Sequence, residues 1–372
     1  MSDVLDLHLS AEQRELYETS RTVAAGPLRE LADAGTPGVV NRRLIRGLAD
    51  SGLLSRLFAD DQLQAMDLCL IREALARGCT EAETAFALQG LGAYPILQAG
   101  SSAVIERWIP AVASGDAVAA FALTEPEAGS DVAALSLRAD PDPERGGHRL
   151  TGRKLWISNA PEADIYTVFA RAPEGITAFA VPGDASGLTG EARQMLAPHA
   201  IGSLEFDEVL VPDDHRLGAP GEGFKVAMRT LDLFRPSVGA FAVGMARAAL
   251  DLAVEHAGRR QAFGRPLSAN QAVSHRLAEL TARTHAARLL VHQAAAAHDA
   301  GRPDRALAAM AKLLATETAQ AAVDAAVQVH GASGLEVGHA LEHLYRDVRA
   351  PRIYEGASEI QREIIARSLF GR

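Results

Sequence analysis

The sequence predicts a mostly α-helical fold interrupted by one β insert. Three observations carry this: helical spacing of apolar residues up to about residue 116, short alternating runs between turn clusters from 117 to about 220, and long Ala/Leu-rich segments from 221 onward. The implied domains are an N-terminal helical domain (1–116), a middle β-barrel (117–220) and a C-terminal helical bundle (221–372). A length of 372 residues allows two or three domains, and 48% hydrophobic with 23% charged residues excludes a mostly disordered chain.

Ser10 and Gln13 read as a capping box that opens the first helix, and the helical spacing runs on to Leu31 across a break at Gly26-Pro27. Asn41 caps the next helix, which ends near Gly52. Segments 66–77, 81–98 and 102–114 continue the series, set off by Gly78, Gly100 and Gly115. Strands are expected over 117–123, 148–157, 165–170, 176–181 and 203–211, with turns at Pro141-Asp142-Pro143, Gly146-Gly147 and Gly183-Asp184. Segments 224–258, 269–300 and 303–329 are too long for ordinary surface helices, and antiparallel packing buries their apolar faces.

The net charge of −10 repels phosphate backbones, so no nucleic-acid partner is expected. Cys69 and Cys79 form no CxxC pair, so neither a disulfide framework nor a thiolate metal site is expected, and a reducing cytoplasm is the simplest location. The opening MSDVLDLHLS carries acids where a signal peptide carries basic residues. No uncharged apolar run reaches the ~18 residues of a membrane span; the stretch from Pro236 stops at Arg247.

Four segments carry chemistry. Residues 121–131 leave a strand and enter a glycine-containing turn, where Phe121, Leu123, Thr124 and Ser130 read either as a cradle for a polar ring or pyrophosphate, or as a capped turn. Trp156, Ile157 and Ser158 end a strand; the indole reads as one wall of a planar cofactor or as plain core. Arg260, Phe263 and Gln271 lie at a break between long helices, where a guanidinium suits a phosphate or a solvated helix end. Glu355 sits between Tyr354 and Gly356, ahead of a helix that Ser358 helps to start. Burial beside Tyr354 would raise its pKa toward that of a useful base, and Gly356 would let a ligand approach; in a solvated loop it would be an ordinary carboxylate.

Taken in order, these segments resemble the acyl-CoA dehydrogenase family along essentially the whole chain. The family's ALTEP-x-AGSD stretch is matched at 122–131, W-I-[ST]-N at 156–159, R-x-x-F-G at 260–264, Q-V-H-G at 328–331, and Y-R-D…I-Y-E-G-x-S-x-I-Q-R at 345–362. The resemblance implies a C-terminal four-helix bundle and a homotetramer, or a dimer, with FAD held between barrel and bundle. It puts Phe121, Leu123, Thr124, Ser130, Trp156, Ile157, Ser158 and Ser358 at the cofactor, with Arg260, Phe263, Gln271, Gln328 and Gly331 at the FAD of a neighbouring subunit. Ser130, Asp232, Phe234, Arg235 and Gly356 border the substrate, and Glu355 matches the base of the medium- and short-chain type. The implied reaction is α,β-dehydrogenation of an acyl-CoA or carrier-protein thioester to the trans-2-enoyl thioester. Glu355 takes the α-proton, a hydride passes to flavin N5, and electron-transfer flavoprotein is the acceptor.

Other branches carry the base on the bundle helix as L-D-x-E-R; here Leu231-Asp232-Leu233-Phe234-Arg235 puts a phenyl ring at that position, which would narrow the acyl pocket, and predicts a buried Asp232–Arg235 pair. Three departures stand out: residues 57–62 replace the usual P-E-x-Y-G-G, Ala332 replaces the second glycine of the flavin-adenine turn, and Ala357 replaces a common threonine. Flavin oxidases and monooxygenases on the same scaffold, and a biosynthetic acyl-carrier-protein oxidase, are the alternatives. A glutamate at 355 disfavours the nitroalkane oxidases and monooxygenases, and the acidic net charge disfavours the DNA-associated branch. His339-Ala340-Leu341-Glu342-His343 spells H-x-x-E-H, a zinc-protease pattern, but lies inside the matched C-terminal region, so no metal is expected.

Overall fold

The computed structural model describes residues 8–58 and 63–371. Helices α1 (Ala11–Ala25), α2 (Pro27–Asp33), α3 (Arg42–Asp50), α4 (Ala65–Gly78), α5 (Thr80–Ala99) and α6 (Ser102–Ala113) come first. Strands β1 (Ala119–Ala122), β2 (Arg138–Asp142), β3 (Gly147–Ser158), β4 (Ile165–Ala172), β5 (Gly175–Pro182), β6 (Leu188–Ala192), β7 (Ile201–Pro212) and β8 (Arg216–Leu217) follow. Then come α7 (Gly223–Arg259), a hairpin of β9 (Gln261–Ala262) and β10 (Arg265–Pro266), α8 (Gln271–Asp299), α9 (Arg305–His330), α10 (Ala340–Asp347) and α11 (Ser358–Phe370).

The helix starts follow from local chemistry. Ser10 Oγ accepts from Gln13 N while the Gln13 side chain reaches back to Ser10 N, and Asn41 Oδ1 accepts from Leu44 N. Pro27 opens α2, where its missing N–H leaves no donor orphaned. Ser358 corrects its assigned role: the residue preceding α11 is Ala357 with no side-chain cap, and the Ser358 hydroxyl instead donates to Glu317 at 2.8 Å.

Packing groups the described residues into two compact units that cut across their order in sequence: those within 1–29, 64–83 and 232–372 form one, and those within 30–63 and 84–231 the other. In the second, one eight-stranded sheet has the order β6-β7-β3-β2-β4-β5-β8, and β1 pairs parallel to β4 with Ala119 opposite Ile165. Its core gathers Phe169, Ile165, Ala178, Trp108 and Leu231, among others. Strands β2, β6 and β8 escaped the sequence reading. Pro141-Asp142, taken for a turn, belongs to β2: beyond Arg138 this strand pairs only with β3, so Pro141 has no ladder bond to supply on its other side.

In the first unit α9 packs against α8, α10 and α11. Its buried face is Ala308, Ala311, Ala315, Ala319, Ala322 and Ala326, small residues at helical spacing that let neighbours approach closely. A side chain at Gly239 of α7 would come within 2.7 Å of Val291 on α8. Among the described residues, α7 alone is long and apolar enough to cross a membrane, but 72% of its most apolar window is buried within the protein, the pattern of a core helix.

Candidate functional site

Within the sheet-bearing unit, β1 and β3 end together. The β3–β7 register shifts between Lys154 and Ile157, a bulge that re-aims the chain, and Trp156 there adopts φ +55°. Its indole is 48% exposed, which removes the core reading of this residue. Two bonds tie β3 to the segment leaving β1, Leu155 N to Thr124 O at 3.0 Å and Lys154 Nζ to Leu123 O at 2.9 Å, and just past β3 Asn159 Nδ2 donates to Ala119 O of β1 at 2.9 Å. Thr124 is thus held against the end of β3 that carries Trp156 and Ser158. Ser158 Oγ lies 3.5 Å from His199 Nε2, Ile157 is buried, Phe121 stacks on Phe169 at 4.9 Å, and Ser130 is exposed.

The fully buried Lys154 also pairs with Glu125 at 2.8 Å, and Glu125 accepts from Ser136 N, Ser136 Oγ and Leu137 N. Burial pulls the Lys154 ammonium down to about 8 against the pull of Glu125, whose own carboxyl is held below its usual value by that ammonium and these N–H donors despite its burial. This pair was missed. The available signal was a lysine at an inward-facing position of an alternating strand, beside buried His148 and Leu150.

In the helical unit the segment 354–356 forms a strained turn: Glu355 has φ +51° and Gly356 φ +93°. Lys312 Nζ on α9 donates to Tyr354 O at 2.6 Å and to Gly356 O, while Gln361 Nε2 on α11 donates to Gly356 O at 2.8 Å. Glu355 Oε2 is buried without a hydrogen-bond partner. Burial pushes the Glu355 carboxyl above its ordinary value, and the cations Arg72, Lys312 and Arg235 pull the other way. Arg72 is itself fixed, donating to Glu83 at 2.5 Å and Ser237 Oγ at 2.6 Å beneath the Phe241 ring. A carboxylate with a buried, unpartnered oxygen and a raised pKa can accept a proton from a carbon acid.

Arg235 and Asp232 pair at 3.1 Å as expected; Arg235 is buried, Asp232 partly exposed and shared with Arg305 at 3.2 Å. Phe234 is fully buried. Residues 59–62 of the departing segment 57–62 lie outside the described residues.

Arg260 precedes the β9–β10 hairpin, whose two-residue turn Phe263-Gly264 has φ +51° and +75° and leaves the Phe263 ring fully exposed. Gln271, Gln328 and Gly331 are exposed too, the last at φ +65° capping α9. A cleft of about 510 Å³ lined by His256, Arg259, Arg260, His330, Ser333 and His339 lies at this end of the helices. The H-x-x-E-H residues serve structure: His339 caps α10, Glu342 pairs with Arg346 at 2.7 Å, and His343 meets Thr80 and Asp347 at 2.9 and 3.0 Å. Among the described residues no cluster could hold a metal ion.

The family models for the N-terminal, middle and C-terminal domains of acyl-CoA dehydrogenases match residues 10–116, 120–211 and 221–370. The cyclohexane-1-carbonyl-CoA dehydrogenase of Geobacter metallireducens is 34% identical over 97% of this chain and 98% of its own length. The structure of butyryl-CoA dehydrogenase from Megasphaera elsdenii is 32% identical, with a TM-score of 0.91 over 97% of this chain and 99% of that one. A glutaryl-CoA dehydrogenase from Mycobacterium smegmatis in complex with FADH2 is 26% identical, with a TM-score of 0.92 over 100% and 97%. The chain belongs to the acyl-CoA dehydrogenase family.

Proposed function

We propose that this chain is a FAD-dependent acyl-CoA dehydrogenase, with Glu355 as the base that removes the α-proton of an acyl thioester to give the trans-2-enoyl product. One observation carries the assignment of the base: a carboxylate with an unpartnered buried oxygen, on a turn pinned at both flanking carbonyls and facing Arg72, Lys312 and Arg235.

The sheet unit fits a flavin. The half-exposed Trp156 offers an apolar plane, and the partly exposed Thr124 and Ser158 supply hydroxyls for polar ring edges. When bound, FAD supplies the acceptor for the β-hydride. The work of this chain is to hold the α-proton acceptor in a dry, fixed geometry. Burial makes the Glu355 carboxylate a stronger base than in water, and the three cations oppose that shift without cancelling it. Hydrogen bonds to the thioester carbonyl would stabilise the enolate-like charge as the proton leaves.

The exposed Phe263, Arg260, Gln271, Gln328 and Gly331 support a further reading: each is free to meet the cofactor of a second copy, as a homotetramer would require. Electron-transfer flavoprotein is the proposed acceptor, and two buried free thiols support a reducing cytoplasm. Acyl-CoA is the proposed substrate form, with a carrier-protein thioester as the finer alternative.

An anaerobic panel of acyl-CoA and acyl-carrier-protein thioesters, read by flavin bleaching, tests this. The wild-type protein is expected to bleach with at least one thioester and Glu355→Gln with none, while the variant still binds flavin. Normal bleaching by Glu355→Gln would remove the residue from its role.

A further inference from the structure

The chain holds three lysines against 34 arginines. Lys225 is at the surface beside Glu222. The other two are buried, 0% exposed for Lys154 and 1% for Lys312; Lys154 donates to the Leu123 carbonyl and pairs with Glu125, and Lys312 donates to the carbonyls on either side of Glu355. In a chain that otherwise supplies positive charge with arginine, these two positions call for a compact ammonium. At Lys312 the reason is geometric: the tetrahedral donors of an ammonium on a thin stem reach two carbonyls of one tight turn, which a planar guanidinium fork does not.

At Lys312 the two carbonyls belong to Tyr354 and Gly356, the residues on either side of Glu355. Resting on the reading of Glu355 as the base, we propose that Lys312 is a positioning residue of the reaction, gripping both flanks of the left-handed turn and setting the charge felt by the Glu355 carboxylate. Backbone at φ +51° is costly for a residue with a Cβ, about 1–3 kcal/mol, and persists only when its surroundings over-determine it. Lys312 and Gln361 together provide that restraint, meeting on the Gly356 carbonyl.

The charged groups that Lys312 faces are Glu355 of the turn and Arg235 from α7; Arg72 from α4 acts on the same turn through Glu355 and Tyr354. Farther along α9, Glu317 is engaged by Arg352 at 2.9 Å and by Ser358. Burial draws the Lys312 ammonium down to about 8; Glu355 opposes that shift and Arg235 reinforces it, so the side chain is cationic at neutral pH.

The test uses flavin-loaded enzyme and anaerobic single-turnover bleaching with straight-chain acyl-CoAs from butyryl to octanoyl, across pH. In Lys312→Met the plateau rate is expected to fall about 10–100-fold, because a base displaced by an ångström loses that much. The half-saturating substrate concentration should change less than about 3-fold, and the acid limb should move up by about one pH unit, since one attracting cation is gone. Lys312→Arg keeps the charge and therefore the wild-type acid limb, but loses the two-sided grip and hence plateau rate. A Lys312→Met enzyme with wild-type plateau and acid limb overturns the proposal. If that variant does not fold, Lys312→Arg decides: a wild-type plateau rate overturns the grip. Failure of the wild-type enzyme to bleach with any thioester would instead sink the reading of the reaction itself.

Discussion

Replacing Gly356 by alanine tests whether the turn at the base is fixed in the way described. The residue has φ +93°, and a Cβ built there would stand 2.6 Å from Gln361 Nε2. An L-residue in a left-handed conformation costs about 1–2 kcal/mol. The contact also drives the Gln361 amide off the Gly356 carbonyl, to which it donates at 2.8 Å, and that side chain is fully buried. Losing one such bond costs a further ~1 kcal/mol. The sum is about 2–3 kcal/mol against the helical unit. With urea m-values at the upper end for small proteins, about 2–3 kcal/mol/M, the unfolding midpoint should fall by about 1 M, followed by circular dichroism. Gly258→Ala is the control. Gly258 lies in α7 at ordinary φ with open space around its would-be Cβ, and alanine there should stabilise by about 0.5–1 kcal/mol. An unchanged midpoint and m in Gly356→Ala would refute the account of the turn.

Other expectations concern buried charge. Lys154→Met leaves Glu125 without its cation, and should destabilise the sheet-bearing unit by about 3–5 kcal/mol in urea unfolding; the double variant Lys154→Met/Glu125→Leu should recover part of that loss. The bleaching rate should fall on the acid side with an inflection above the ordinary glutamate value, because the Glu355 pKa is raised and protonation removes the base as pH drops through it. Glu73 is fully buried, holds Arg288 through both oxygens at 2.8 Å and also meets Arg247, and its carboxyl is driven far below the usual range. A depressed folded pKa contributes stability that is complete above the unfolded value and is lost as pH falls through the folded one. Glu73→Gln should therefore lower stability at neutral pH and flatten its decline in an acid titration followed by circular dichroism.

The helices were legible because their apolar spacing and caps are local: the Ser10 box, the Asn41 cap and the long segments from 223 onward appear within a few residues of expectation. The short strands β2, β6 and β8 were not: β2 and β6 carry acids with proline or glycine, and β8 is two residues long and pairs with β5 many residues away. Of the site, Glu355, Trp156 and Arg260 stood out as residue types at telling breaks. Their supports did not. Lys312 sits on the alanine face of α9 and Arg72 inside an apolar run of α4, where a charge signals a buried partner without saying which.

What the sequence determined by itself was the helix–sheet–helix order, the family resemblance and, through that resemblance, the carboxylate proposed as the base, since these depend on residue identity and near neighbours. What only the tertiary structure decided was the state of that carboxylate. Its left-handed backbone, its unpartnered oxygen and the opposing pulls of burial and three cations arise from α4, α7, α9 and α11 converging on one turn, a convergence set by packing between segments distant along the chain.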